Sequence, residues 1–202
     1  MAQVVLFHHA QGLRDDVLGW GESLREEGHE VTTPDLFEGR TFDLLVDGIA
    51  HRDEIGVPAL IGRAAERMEG LPAELVYMGF SMGASTAHYL ALTRPGARAL
   101  VLMHGTAPAA SLGQAAWSAD LPGQLHKKES DPLIDEAGVE SAEYAAKEAG
   151  AAFELFSYPG EGHLFADPQG PDYDQEAAAL MLQRELALLA GLGSRAARRA
   201  GG

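Results

Sequence analysis

Val4, Val5, Leu6 and Phe7 form an apolar run with no alternation between apolar and polar positions. That is the pattern of a strand buried on both faces of a parallel sheet. A turn follows over residues 8–12, and residues 14–27 read as a helix closed by Gly28. Residues 30–33 predict a second strand, stopped by Pro34 and Asp35. Residues 42–68 form a long helical region broken near Pro58, since proline removes a backbone donor and clashes with the preceding turn. Further strands are predicted at 75–78, 97–103, 122–125 (weaker) and 152–158, with helices at 141–149 and 173–189. Strands alternating with helices predict an α/β domain with a mostly parallel sheet and helices on both faces. Ligands of such sheets bind at the carboxyl ends of the strands. Those ends carry His8, His9, Asp35, Ser81, His104, His126 and His163.

One of these ends holds Gly79-Phe80-Ser81-Met82-Gly83, between the apolar run ending at Met78 and the helix-like stretch from Ala84. A Gly-x-Ser-x-Gly sequence at a strand-to-helix junction predicts a sharp, strained turn that lifts the serine hydroxyl above the sheet. The first amides of the following helix then point to where an oxyanion would develop during acyl transfer.

Composition narrows the partners. The 202 residues, 46% apolar and 22% charged, suit one domain with a substantial core. The domain is expected over residues 1–192, with a disordered tail over 193–202. A net charge of −15 argues against nucleic acid and anionic membranes as partners. With no cysteine, the chain has no disulfide, thiolate metal site or cysteine nucleophile. The first residues lack the charged start and long apolar stretch of a signal peptide, so a cytoplasmic location is expected. A monomer or weak homodimer is expected.

A serine nucleophile needs a base to take its proton and a carboxylate to orient that base. Strand-end position selects His163, carried after a Pro159-Gly160 turn. The acid is expected from the loop after the preceding strand, residues 126–134. Asp131 is chosen because Pro132 favours an extended backbone before it, with Glu129 and Asp135 as rivals. The order Ser81, Asp131, His163 is the one a nucleophile elbow takes in this architecture. The oxyanion amides are then expected from Met82 and from Ala10 in the turn after the first strand. Adjacent His8 and His9 point to opposite sides of a strand end and no Asp or Glu lies close to them in sequence, so neither metal nor cofactor is expected.

These residues resemble the dienelactone hydrolase family, small lidless members of the α/β-hydrolase fold. The resemblance rests on His9-Ala10-Gln11-Gly12-Leu13, Pro34-Asp35-Leu36-Phe37, the Ser81 elbow, Ser130-Asp131-Pro132, and the run from Tyr158 through His163 to Phe165. It implies Ser81, Asp131 and His163 as catalytic residues and Ala10 and Met82 as oxyanion donors. It also implies that the chain begins at what would be the third strand of a full eight-stranded hydrolase sheet. Three departures stand out. The best-known members use cysteine where this chain has Ser81, and a glutamate where it has His9. They also place a carboxylate-binding arginine where it has Asp167, which would repel the carboxylate of dienelactone.

The expected activity is hydrolysis of small esters or lactones through an acyl-Ser81 intermediate, making the chain a serine esterase. A thioesterase or acyltransferase with the same triad is the alternative, since pocket shape and water exclusion choose the acceptor. A non-catalytic binding protein on the hydrolase scaffold is the other class. Substrate contacts are expected from His9, Arg40, His104 and Trp117, the last in an alanine-rich segment (106–120) too short for a lid domain.

Overall fold

A computed structural model of the chain describes residues 1–112 and 116–200. In chain order its elements are β1 (Gln3–Phe7), α1 (Asp15–Glu26), β2 (Glu30–Thr32), α2 (Leu45–Ile55), α3 (Val57–Arg67), β3 (Val76–Phe80), α4 (Met82–Thr93), β4 (Ala99–Met103), β5 (Gly123–Ser130), α5 (Glu136–Glu148), β6 (Phe153–Glu161) and α6 (Gln175–Ala200). They build a six-stranded sheet in the order β2-β1-β3-β4-β5-β6. Every neighbouring pair is parallel.

The unbroken apolar runs arise because the sheet has a core on each face. Successive side chains of a strand alternate between faces. Val5, Phe7, Tyr77, Leu100 and Leu102 therefore pack against Leu60 and Ala64 of α3, Ala84 and Ala87 of α4, and Val139 and Ala142 of α5. Val4, Leu6, Val76, Met78, Val101 and Met103 pack against Val17, Trp20 and Leu24 of α1 and Met181 and Leu189 of α6. In α1 the buried set is Val17, Trp20, Gly21 and Leu24, the spacing of one helical stripe.

The break expected near Pro58 falls at Gly56, whose φ of 81° ends α2, and Pro58 occupies the first turn of α3. Two elements differ more from the sequence reading. β5 continues to Ser130 instead of stopping at Leu125, because β6 pairs along it as far as Glu161. Lys127 and Lys128, which look like loop residues, are buried and bonded to Glu136 and to Pro159 O and Asp174 respectively. α6 reaches Ala200, into the stretch read as a tail, whose Gly201 and Gly202 lie outside the described residues.

Between β4 and β5 the described residues hold a short 3-10 turn, Ala109–Leu112, and no inserted domain. Residues 113–115 of the alanine-rich segment lie outside the described residues. Among the described residues, no helix is long and apolar enough to cross a membrane.

Candidate active site

Ser81 stands between β3 and α4 with φ 53° and ψ −109°, a conformation that strains any residue bearing a Cβ. Space explains both glycines of the motif. A Cβ on Gly79 would lie 2.2 Å from the carbonyl oxygen of Gly83, and one on Gly83 would lie 2.4 Å from that of Phe7. The start of α4 is thereby pressed against the end of β1. The Ser81 amide donates to Met103 O at 2.7 Å, which ties the turn to β4.

The turn after β1 lies against that junction. The Gly12 amide donates to His9 O at 3.1 Å, and Gln11 N donates to His9 Nδ1 at 3.1 Å. Gln11 also exchanges backbone and side-chain bonds with Phe42 and Asp43. Gly48 of α2 packs beneath, where a Cβ would stand 2.0 Å from Ala10 O. Among the described residues, the amides of Ala10 and Met82 donate to no other group.

His163 follows β6 in a turn that needs Gly162, at φ 113°, because a Cβ there would lie 2.8 Å from the Cβ of Asp172. Asp172 accepts the His163 amide at 2.9 Å. The ring is held by its own bonds: Nδ1 lies 2.7 Å from Asp131 Oδ2, and Nε2 lies 2.7 Å from Ser81 Oγ. Asp131's side chain is fully buried, and its Oδ1 accepts the Leu133 amide at 2.9 Å. An ionised carboxylate only accepts, so Nδ1 carries the proton and Nε2 is free to take one from Ser81. Of the rivals, Glu129 is exposed. Asp135 caps α5 through the Gly138 amide.

Of the four residues read as substrate contacts, His9 and His104 lie beside this constellation, and Arg40 lies against the turn after β1. His9 is buried, its Nε2 donating to Asp16 Oδ2 at 2.7 Å. Asp16 is held below its usual pKa: burial opposes ionisation, but the bond and charge of His9 outweigh it. His9 looked to be without a carboxylate in the sequence because Asp16 stands seven residues on, in the first turn of α1. His104 takes φ 64° and packs its ring on Phe80, Phe165 and His163, the last at 5.9 Å between centroids. Burial, then the neighbouring imidazoles of His163, His9 and His126, keep it neutral. Arg40 is exposed, with its carbonyl against Gly12. Among the described residues it has no carboxylate partner, and the nearby Glu38 pairs with Arg63.

Trp117 is placed elsewhere. Its indole donates to Leu121 O and packs on Phe153 and near Gly123, the first residues of β6 and β5. It fills core at the amino ends of the strands, opposite Ser81. His126 lies outside the site too, bonded to Tyr158 and Gln124 with burial lowering its pKa to about 3. Asp167 is buried in its own turn, where Oδ1 accepts the Gln169 amide. No group of three or more metal-ligating side chains occurs among the described residues.

Residues 1–192 match the dienelactone hydrolase family. The chain belongs to that family. Its sheet order and helices are those of the α/β-hydrolase fold shared by its structural neighbours. One, a dienelactone hydrolase-like promiscuous phosphotriesterase from metagenomic libraries, is 22% identical with a TM-score of 0.77, over 95% of this chain and 87% of the other. A second, esterase PE8, is 20% identical with a TM-score of 0.63, over 93% of this chain and 92% of the other. A thermophilic esterase from the planctomycete Thermogutta terrifontis is 15% identical with a TM-score of 0.68, over 95% and 82% respectively. No curated protein matches the chain in sequence. Membership makes this dienelactone hydrolase family protein a hydrolase by descent.

Proposed function

We propose that the chain hydrolyses small esters or lactones through an acyl-Ser81 intermediate. The series Ser81 Oγ, His163 Nε2, His163 Nδ1 and Asp131 Oδ2, with both hydrogen bonds at 2.7 Å, carries the reading. Ser81 Oγ attacks the carbonyl carbon while His163 Nε2 takes the hydroxyl proton, and Asp131 stabilises the resulting imidazolium. The carbonyl oxygen becomes an oxyanion received by the Ala10 and Met82 amides, worth about 10²–10³ in rate per donor. Collapse breaks the bond to the alcohol, which leaves with the proton from His163. Water then repeats the sequence on the acyl-enzyme, returning Ser81 and releasing the acid. The structural neighbours named as esterases fit this substrate class.

Labelling with a fluorophosphonate, read by mass spectrometry, tests the assignment. The expected result is one adduct on Ser81, blocked turnover of p-nitrophenyl acetate, and neither labelling nor turnover in Ser81→Ala. Full turnover by Ser81→Ala would overturn the reading, and an unlabelled, inactive wild type would favour a binding protein on this scaffold.

A further inference from the structure

The turn after β1 begins with two histidines, and the mechanism above uses neither ring. His8 is wholly buried, yet both its ring nitrogens are bonded. Nδ1 lies 2.7 Å from the carbonyl oxygen of His9, and Nε2 accepts the Leu36 amide at 3.0 Å. A carbonyl can only accept and an amide only donate, so His8 is the neutral tautomer with its proton on Nδ1.

We propose that His8 is a positioning residue for the oxyanion site, fixing the His9–Ala10 peptide plane and so the direction of the Ala10 amide. This rests on the serine-nucleophile reading above. The peptide unit is planar and trans, so its carbonyl and N–H point to opposite sides. Two donors, His8 Nδ1 and the Gly12 amide, hold that carbonyl on one side. The N–H of the same unit, that of Ala10, is therefore aimed the other way.

Among the amides of Ala10, Gln11 and Gly12, that of Ala10 stands apart. Gly12 donates to His9 O and Gln11 donates to His9 Nδ1, whereas the Ala10 amide donates to nothing among the described residues. A turn stabilised for its own sake would use all three. The bracket also ties in the loop after β2. Leu36 N meets Nε2, the ring packs edge-on against Phe37 at 5.0 Å, and Asp35 satisfies the Phe37 and Gly39 amides itself. Burial lowers the pKa of His8 to about 4, which keeps Nε2 an acceptor at neutral pH.

Two near-isosteric substitutions separate the bonds. The amide nitrogen of asparagine stands near the place of Nδ1, and the amide oxygen of glutamine near that of Nε2. His8→Asn keeps the bond to His9 O and gives up the one to Leu36; His8→Gln does the reverse. With p-nitrophenyl acetate, kcat is expected to fall about 10–100-fold in His8→Gln and His8→Leu, short of the loss of a whole oxyanion donor. His8→Asn recovers most of that loss. KM stays within about twofold in all three, because the interaction forms in the transition state. Melting temperatures are recorded alongside, and assays run well below the lowest.

Equal losses in His8→Asn and His8→Gln, a loss that follows melting temperature, or a rise in KM at constant kcat would each overturn the proposal. Ser81→Ala in the same assay keeps the two readings apart. If it retains turnover, the serine mechanism fails; if it is inactive while His8→Gln equals wild type, only the positioning role fails. Nitrogen-15 NMR of histidine-labelled wild type gives a check that needs no variant. His8 is expected with its proton on Nδ1 at neutral pH, and a proton on Nε2 would refute the bracket.

Discussion

Asp131 holds His163 by one carboxylate oxygen and the amide of Leu133 by the other, so the imidazole is oriented by a group that is itself pinned. Asp131→Asn is expected to lower kcat about 10⁴-fold by favouring the wrong tautomer of His163, with the fold intact. Asp135→Ala should leave kcat near wild type and cost about 1 kcal/mol through the lost cap of α5. Glu129→Gln should change neither quantity. Kinetics on p-nitrophenyl acetate and denaturant unfolding of the three variants check this, and a severe kinetic loss in Asp135→Ala would mean the acid is misassigned.

Gly48 contributes no side chain to the site, yet a Cβ there would lie 2.0 Å from Ala10 O. Gly62, in α3, has nothing within 4 Å of its would-be Cβ. Gly62→Ala should therefore stabilise the protein by about 1 kcal/mol through helix propensity alone. Gly48→Ala should destabilise it by about 1–3 kcal/mol and also lower kcat, since the overlap falls on the backbone of the turn proposed to supply an oxyanion donor. Equal effects of the two substitutions on stability and kcat would refute this role of Gly48.

The strands and the elbow were legible because their signals are local: apolar runs for β1, β3 and β4, and glycines two positions either side of Ser81. The extension of β5 was not. Its residues Lys127, Lys128 and Glu129 look solvated, and the partner that makes Lys128 buriable, Asp174, lies 46 residues away. Trp117 failed for another reason: sequence places a residue between two strands without saying at which end of the sheet its ring will lodge. Glu185 shows the same limit in α6. It is a charged letter on a helix, yet it is fully buried and accepts from Trp20 Nε1 at 2.9 Å.

That glutamate should mark the pH dependence of stability. Burial raises its pKa from 4.5 to about 8, against a smaller opposing effect of the bond from Trp20. Between those two values the folded state holds a proton that the unfolded chain has released, so stability falls as pH rises across the window and levels off above it. Glu185→Gln keeps an acceptor for Trp20 and removes the titration. Its stability relative to wild type should grow from pH 5 to pH 8, reaching at most a few kcal/mol. Urea unfolding across that range measures the difference, and a constant offset would mean Glu185 does not titrate as inferred.

Substrate charge gives a further expectation. The net charge of −15 and the buried Asp167, four residues after His163, both disfavour an anionic acyl group. A neutral ester or lactone should show higher kcat/KM than its carboxylate analogue. Salt should narrow the gap by screening the long-range part, and Asp167→Asn should narrow it further. A preference for the carboxylate, abolished in Arg40→Ala, would instead assign the exposed Arg40 to anion recognition.

Ser81 occupies a backbone region that costs a residue with a Cβ about 1–3 kcal/mol. A glycine would relax there at a smaller entropic loss of about 0.5–1 kcal/mol in the unfolded chain. Ser81→Gly is thus expected to melt at a higher temperature than wild type while losing turnover, and a lower melting temperature would place the strain elsewhere. Selection for folding alone would drive this position toward glycine within a lineage. Under the proposed serine mechanism, it is selection for reactivity that holds a hydroxyl at a position where the backbone disfavours one.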